Sequence, residues 1–157
     1  MRYCPRFASL ETLMTPADII DYFNRHRPAC VELLGGAVTG FEPDRQQLTM
    51  DFSPGLNCCH SGNIIQGGFV TAMLDAAMAH AAMGLEQFMA TPSTIDINVS
   101  FLRPARPGQY RSVGTAIKLG RTVAYLRAEL FDAQDTLVAT ATSSFYLIRH
   151  DTVQTPH

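Results

Sequence analysis

Polar and apolar positions fall into two periods along this chain, and their succession predicts its elements. From Asn63 to Gly84 the run NIIQGGFVTAMLDAAMAHAAMG is helical in character, carries one charged side chain, Asp75, and contains the glycine pair Gly67-Gly68 near its start. A helix without a polar face belongs in a core. Upstream, Thr15-Pro16-Ala17-Asp18 supplies an N-cap, a proline at the first helical position and an acid at N3, with Ile19, Ile20, Tyr22 and Phe23 following. That pattern predicts an amphipathic outer helix ending near Arg25 to Pro28. Val31 to Gly40 and Gln46 to Phe52 read as a hairpin turning at Glu42-Pro43-Asp44, its second strand alternating Leu48, Met50 and Phe52. Four more strands are predicted after the long helix: Thr94 to Leu102, Tyr110 to Leu119, Thr122 to Phe131 and Thr136 to Ile148. Pro104, Pro107-Gly108, Gly120-Arg121 and Asp132 to Asp135 separate them. The order is a helix, then β-β-α-β-β-β-β, which an antiparallel sheet wrapped around one long helix satisfies. This is an α+β layer arrangement.

Asp75 is the position where this pattern meets chemistry. An ionised carboxylate avoids apolar surroundings unless it is paired, hydrogen-bonded or used, so Asp75 is either satisfied by a local donor such as Thr71 or is a working acid or base. The first turn of a helix leaves N–H groups unpaired and carries partial positive charge, and glycine lets an oxygen approach them closely. Gly67 and Gly68 therefore suit an anion or a developing oxyanion. At 1.5 Å per residue, Asp75 lies roughly 12 Å from that turn. If both serve one reaction, the site combines two copies of the helix. The Asp75 face also holds Gly68, Thr71, Ala72, Met78, Ala79 and Ala82, a small-residue side that admits another backbone or a thin ligand.

Composition narrows the classes. The 157 residues, 46% of them hydrophobic, suffice for one domain able to enclose a helix, with residues 1–157 as a single unit and a core over about 30–148. A net charge of −2 and a single lysine give no basic run, which argues against nucleic acid. No uninterrupted apolar stretch reaches membrane-spanning length and MRYCPRFASLETLM has no secretory apolar region, so a cytoplasmic protein that does not enter membranes is expected. Cys4, Cys30, Cys58 and Cys59 have no C-x-x-C spacing and read as reduced thiols. Cys58-Cys59-His60 lacks a second ligand pair, so no metal is expected.

Three motifs together carry a family resemblance. Gln66-Gly67-Gly68 is followed by Asp75 as Q-G-G-x6-D; T-I-D-I-N-V-S-F-L-R-P runs from Thr94 to Pro104; the turn Lys118-Leu119-Gly120-Arg121 precedes a strand containing L-V-A-T-A-T. In order and spacing the chain resembles hotdog-fold acyl-CoA thioesterases of the phenylacetate-type (PaaI-like) branch of the 4-hydroxybenzoyl-CoA thioesterase superfamily, over about residues 30–148. The resemblance implies a hotdog fold and hydrolysis of an acyl-CoA thioester to a carboxylic acid and free CoA, with no cofactor. It also implies a homodimer, or a dimer of dimers, with the site at the subunit interface. Gly67 would polarise the thioester carbonyl, Asp75 would act as base or nucleophile, and Thr94 and His60 would position water. His60 stands where relatives usually carry Asn, and Asn63 is an alternative for that role. Gln66 stands where many relatives carry His. With Gly68, Asn63 and Arg121 it would bind substrate. Arg103, Arg106 and Lys118 are further candidates for CoA phosphates, against the alternative of a solvated surface. Met73, Met78, Met83, Met89 and Phe88 either border an acyl pocket or pack the core. Two other classes stay open: a non-catalytic acyl-CoA-binding or regulatory hotdog protein, and a hydratase or dehydratase, which would want a paired His and acid on the central helix.

Overall fold

The computed structural model describes residues 13–151. Cys4 and most of the N-terminal segment read for secretory features lie outside them.

Helix α1, Pro16–Arg25, starts on the predicted capping box: the Thr15 side chain accepts from Asp18 N–H while the Asp18 carboxylate accepts from Thr15 N–H. It buries Ile19 and Phe23, and the Phe23 ring packs against His80 and Phe88. Asn24 bonds Val38 through both its amide oxygen (2.9 Å) and its amide nitrogen (2.8 Å), fixing the helix to the first strand.

The first predicted strand is corrected at its start. Ala29–Leu33 is a short helix, α2, with Val31 and Leu34 buried three apart, and strand β1 runs only from Ala37 to Glu42. Gly35 separates them at φ 59, a left-handed turn that glycine makes without strain. A short 3-10 turn, Pro43–Arg45, then leads to β2, Gln47–Phe52, whose Leu48, Met50 and Phe52 are fully buried as the alternation predicts.

Residues 53–66 contain a small hairpin, β3 (Cys59–His60) with β4 (Ile64–Ile65), so the long helix α3 begins only at Gly67 and ends at Leu85. Four strands follow: β5 Ala90–Phe101, β6 Tyr110–Leu119, β7 Val123–Asp132 and β8 Leu137–Arg149. β5 starts earlier than predicted and passes through Pro92, which an edge strand tolerates because its missing N–H need not pair. The six-stranded sheet has the order β1-β2-β6-β7-β8-β5, with all its pairs antiparallel.

The sheet curls around α3. At Gly114 of β6 a side chain would meet the Ala77 carbonyl oxygen at 2.3 Å, so strand and helix touch backbone to backbone. Met73, Leu74, Ala77, Met78 and Ala81 of α3 are buried with Leu126, Leu130 and Phe145 of the sheet. Met73, Met78 and Phe88 therefore pack the core. The helix is long and apolar enough to cross a membrane, but here it is the enclosed core element. β5 lies at one edge, past the helix, and leaves Ile95 57% and Phe101 55% exposed.

Candidate active site

The N-terminal turn of α3 has its amides divided by the sequence before it. Gln66 is the N-cap: its side-chain oxygen accepts from Gly68 N–H at 2.7 Å, and its backbone carbonyl accepts from Phe69 N–H at 2.9 Å. A Cβ on residue 68 would lie 2.7 Å from that side-chain oxygen, so the cap needs glycine there. The Gly67 N–H donates to no acceptor among the described residues. Gly67 lines an open groove of about 400 Å³ together with Ile64, Ile65, Val70, Phe101, Leu102 and Arg103. An unpaired amide at a helix start beside an apolar groove can donate to a carbonyl oxygen.

The groove is held by bonds between segments distant in sequence. Ile65 N–H donates to Ala105 O (2.9 Å), and the Arg106 guanidinium donates to Gly62 O (3.1 Å). The Tyr110 hydroxyl donates to Arg106 O (2.6 Å) and accepts from Arg106 N–H (2.8 Å). Arg106, a candidate for CoA phosphate, thus ties the β3–β4 turn to the loop after β5. His60 stands exposed on β3 opposite Ile64, and Asn63, at φ 53, makes the turn between the two strands. Both are carried on the hairpin that leads into Gln66 and Gly67.

Asp75 lies two turns further along α3, half-buried, and accepts from the Thr94 hydroxyl at 3.2 Å. Burial pushes its carboxyl above the ordinary 3.8, and the Thr94 bond partly opposes this. Thr71 does not cap it: that hydroxyl donates to Gly67 O at 2.9 Å. Asp75 and Thr94 are brought together, Gln66, Gly67 and Gly68 form a second group with the His60–Asn63 hairpin, and these two groups are separate within one chain. Arg121 sits apart from both. It lies on the β6–β7 turn, which Arg149 joins to Glu86 at the far end of α3. Sequence reasoning missed the groove walls Ile64, Ile65, Val70 and Leu102. Their one sequence signal is the apolar pair Phe101-Leu102 running into Pro104.

This geometry has known counterparts. The thioesterase superfamily model matches residues 62–139. The medium/long-chain acyl-CoA thioesterase YigI of Escherichia coli (strain K12) is 26% identical over 125 residues, covering 71% of this chain and 81% of that protein. The structure of a phenylacetic acid degradation-related protein from Ralstonia eutropha JMP134 superposes with a TM-score of 0.75 at 30% identity, covering 82% of this chain and 98% of that one. The E. coli PaaI protein from the phenylacetic acid degradation operon shares the fold, at a TM-score of 0.71 and 17% identity over 81% of this chain and 92% of that one. A sheet wrapped round one central helix with an N-terminal helix packed on it matches the fold of these structures, and the chain is a thioester hydrolase of the PaaI-like hotdog type, belonging to the thioesterase superfamily.

Proposed function

We infer that the protein hydrolyses acyl-CoA thioesters with an apolar acyl group, using Asp75 and the Gly67 amide. The observation that carries this reading is the unpaired Gly67 N–H at the apolar groove, on the same helix as a half-buried carboxylate of raised pKa. In the reaction, Asp75 takes a proton from water as the oxygen adds to the thioester carbon. The oxyanion accepts from Gly67 N–H until the C–S bond breaks and the CoA thiolate leaves and is protonated. Direct attack by Asp75 would pass through an anhydride, which water then opens. Thr94 holds the carboxylate, and His60 or Asn63 orients the water. Gln66 keeps Gly68 engaged so that Gly67 is the amide offered to substrate. Arg121 contacts a CoA phosphate.

Gly67 and Asp75 are about 12 Å apart along one helix, so the site is shared by two subunits of a homodimer. Two features support this. β5 is an edge strand with uncovered Ile95 and Phe101, and the α3 face with Ala72, Asp75, Ala76 and Ala79 is only half-buried within the chain. YigI, a relative by sequence, is named for medium- and long-chain acyl-CoA, which agrees with a groove whose walls are hydrocarbon. Thiol release measured across aromatic, short, medium and long acyl-CoA tests the reading. Release is expected, greatest for aliphatic chains. Tight binding without release would replace the hydrolase by an acyl-CoA-binding protein, a reading favoured by His60 standing in place of the usual Asn.

A further inference from the structure

We propose that Arg149 and Glu86 are positioning residues for the β6–β7 turn, holding Arg121 for the nucleotide end of the substrate; this rests on the acyl-CoA reading above. Gly120, Arg121 and Thr122 alone join β6 to β7, and the end of β8 takes all three of their carbonyls. Leu147 N–H donates to Thr122 O (2.8 Å), Arg149 Nε to Arg121 O (2.7 Å) and Arg149 Nη2 to Gly120 O (3.2 Å). The same guanidinium grips Glu86 with a fork, Nη1 to Oε2 at 2.7 Å and Nη2 to Oε1 at 3.3 Å. Glu86 is the C-cap of α3, so the clamp joins the end of the core helix, the end of β8 and the turn.

Its surroundings set this pair apart from a surface ion pair. The Glu86 side chain is 9% exposed and that of Arg149 32%, whereas a freely solvated pair would contribute little. The Arg149 guanidinium makes four bonds here, two to one carboxylate and one to each of two carbonyls, which an ammonium with three donors on a single nitrogen does not reproduce. Gly120 tightens the turn further, since its N–H donates to Val123 O at 3.0 Å and a Cβ there would lie 2.6 Å from that oxygen. The Arg121 side chain therefore projects, exposed, from a backbone fixed at its own carbonyl and at both neighbours. Lys118, also exposed, precedes it on β6. Arg149 pairs with Glu86, and Lys118 and Arg121 add two exposed cations beside the turn, which suits phosphate groups. The clamp acts by orientation: loosening it lets Arg121 wander, which weakens capture of a phosphate-bearing thioester and leaves the acyl end untouched.

The test compares one acyl group on two carriers, CoA and N-acetylcysteamine, which has the thioester but no nucleotide. Arg149→Lys keeps the charge and removes the fork; Glu86→Gln keeps the shape and removes the partner's charge. Each is expected to raise KM for the CoA thioester about 5-fold with kcat within about 2-fold of wild type, and to leave the N-acetylcysteamine thioester unchanged. Arg121→Ala is expected to raise the CoA KM about 10-fold, and adding Arg149→Lys to it should cost nothing more, because the clamp acts through Arg121. Thermal melting of each variant accompanies the kinetics. Equal losses on both carriers, or an unchanged CoA KM in both clamp variants while Arg121→Ala raises it, overturn the clamp and leave the acyl-CoA reading standing. An unchanged CoA KM in Arg121→Ala overturns the phosphate contact and the clamp with it, while thiol release from acyl-CoA still reports separately on the reaction.

Discussion

Replacing Asp75 by Asn separates the chemistry of this carboxylate from its place in the fold. Asn has the same shape, and its side-chain oxygen can still accept the Thr94 hydroxyl at the 3.2 Å now seen, so helix and strand stay joined. What disappears is the charge. Loss of a general base costs about 10² to 10⁴ in rate, so thiol release from acyl-CoA should fall at least about 100-fold in kcat with KM little changed. The pH dependence follows from the direction of the shift. Burial raises the Asp75 pKa above 3.8, so the acid limb of kcat/KM in the wild type should lie above the ordinary carboxylate range. Stability has the linked sign: a native carboxyl that holds its proton more tightly than the unfolded one contributes most below pH 3.8 and loses that contribution as pH rises through the raised value. At neutral pH the wild type therefore carries the cost of a desolvated charge, and Asp75→Asn should melt at a higher temperature. Thr94→Val, which removes the bond that lowers the pKa, should move the acid limb further up. A purified Asp75→Asn protein with near-wild-type turnover would refute this reasoning. So would an Asn variant that is both inactive and less stable, because its inactivity would then have a structural cause.

Three other experiments test other parts of the site and fold. His60→Ala should lower kcat about 10-fold or more while His60→Asn keeps most activity, since the position needs hydrogen-bonding capacity; equal rates in wild type and His60→Ala would shift the role to Asn63. Gly114→Ala forces a methyl to 2.3 Å from the Ala77 carbonyl oxygen and should destabilise the fold by about 3 kcal/mol, lowering Tm by roughly 6–12 °C; an unchanged Tm in calorimetry would contradict the strand-to-helix backbone contact. Mixing Asp75→Ala with His60→Ala homodimers under subunit exchange should return about a quarter of wild-type activity, because half the dimers are mixed and each mixed dimer has one intact site. Exchange confirmed by native mass spectrometry without recovered activity would show that each site lies within one chain.

Local signals made most of the framework legible. The capping box placed α1, the period-two runs placed β2, β6, β7 and β8, and the apolar run with Asp75 as its one charge placed α3. Short elements failed for a physical reason. Val31 and Leu33 share a strand face while Val31 and Leu34 share a helix face, so the segment fits either period, and the left-handed Gly35 with its fold context goes with the helix. β3 and β4, at two residues each, are too short to show a period at all. β5 continues through Pro92 because it is an edge strand, a property of the sheet order that no local pattern carries. Among the candidate site residues, Asp75 and Thr94 came from the Q-G-G-x6-D and T-I-D-I-N motifs, and the fold brings the two into contact. The groove was not legible: Ile64 and Val70 meet Phe101 and Leu102 only through the fold. Thr71 was readable as a cap for Asp75 from helix spacing, but a hydroxyl in a helix also reaches the carbonyl four residues back, and here Gly67 takes it.

The position of Asp75 along α3 explains how one carboxylate can be both desolvated and reachable. Its neighbour Leu74 and the following Ala77 and Met78 are fully buried against the chain's own sheet, whereas Ala72, Asp75, Ala76 and Ala79 form a stripe that the sheet leaves half-covered. An acid at 74, 77 or 78 would be lost to the core. On the stripe it meets Thr94, on the edge strand that also leaves Ile95 and Phe101 uncovered, so carboxylate, orienting hydroxyl and open apolar edge lie along one seam. In the proposed homodimer, a second copy laid over that seam would remove more water from Asp75 and push its pKa further in the direction burial already sets. Assembly and basicity would then be linked through one residue. On the proposed reading, the small side chains of the stripe would leave room for a partner backbone and a thin substrate, with the open groove at Gly67 receiving the thioester.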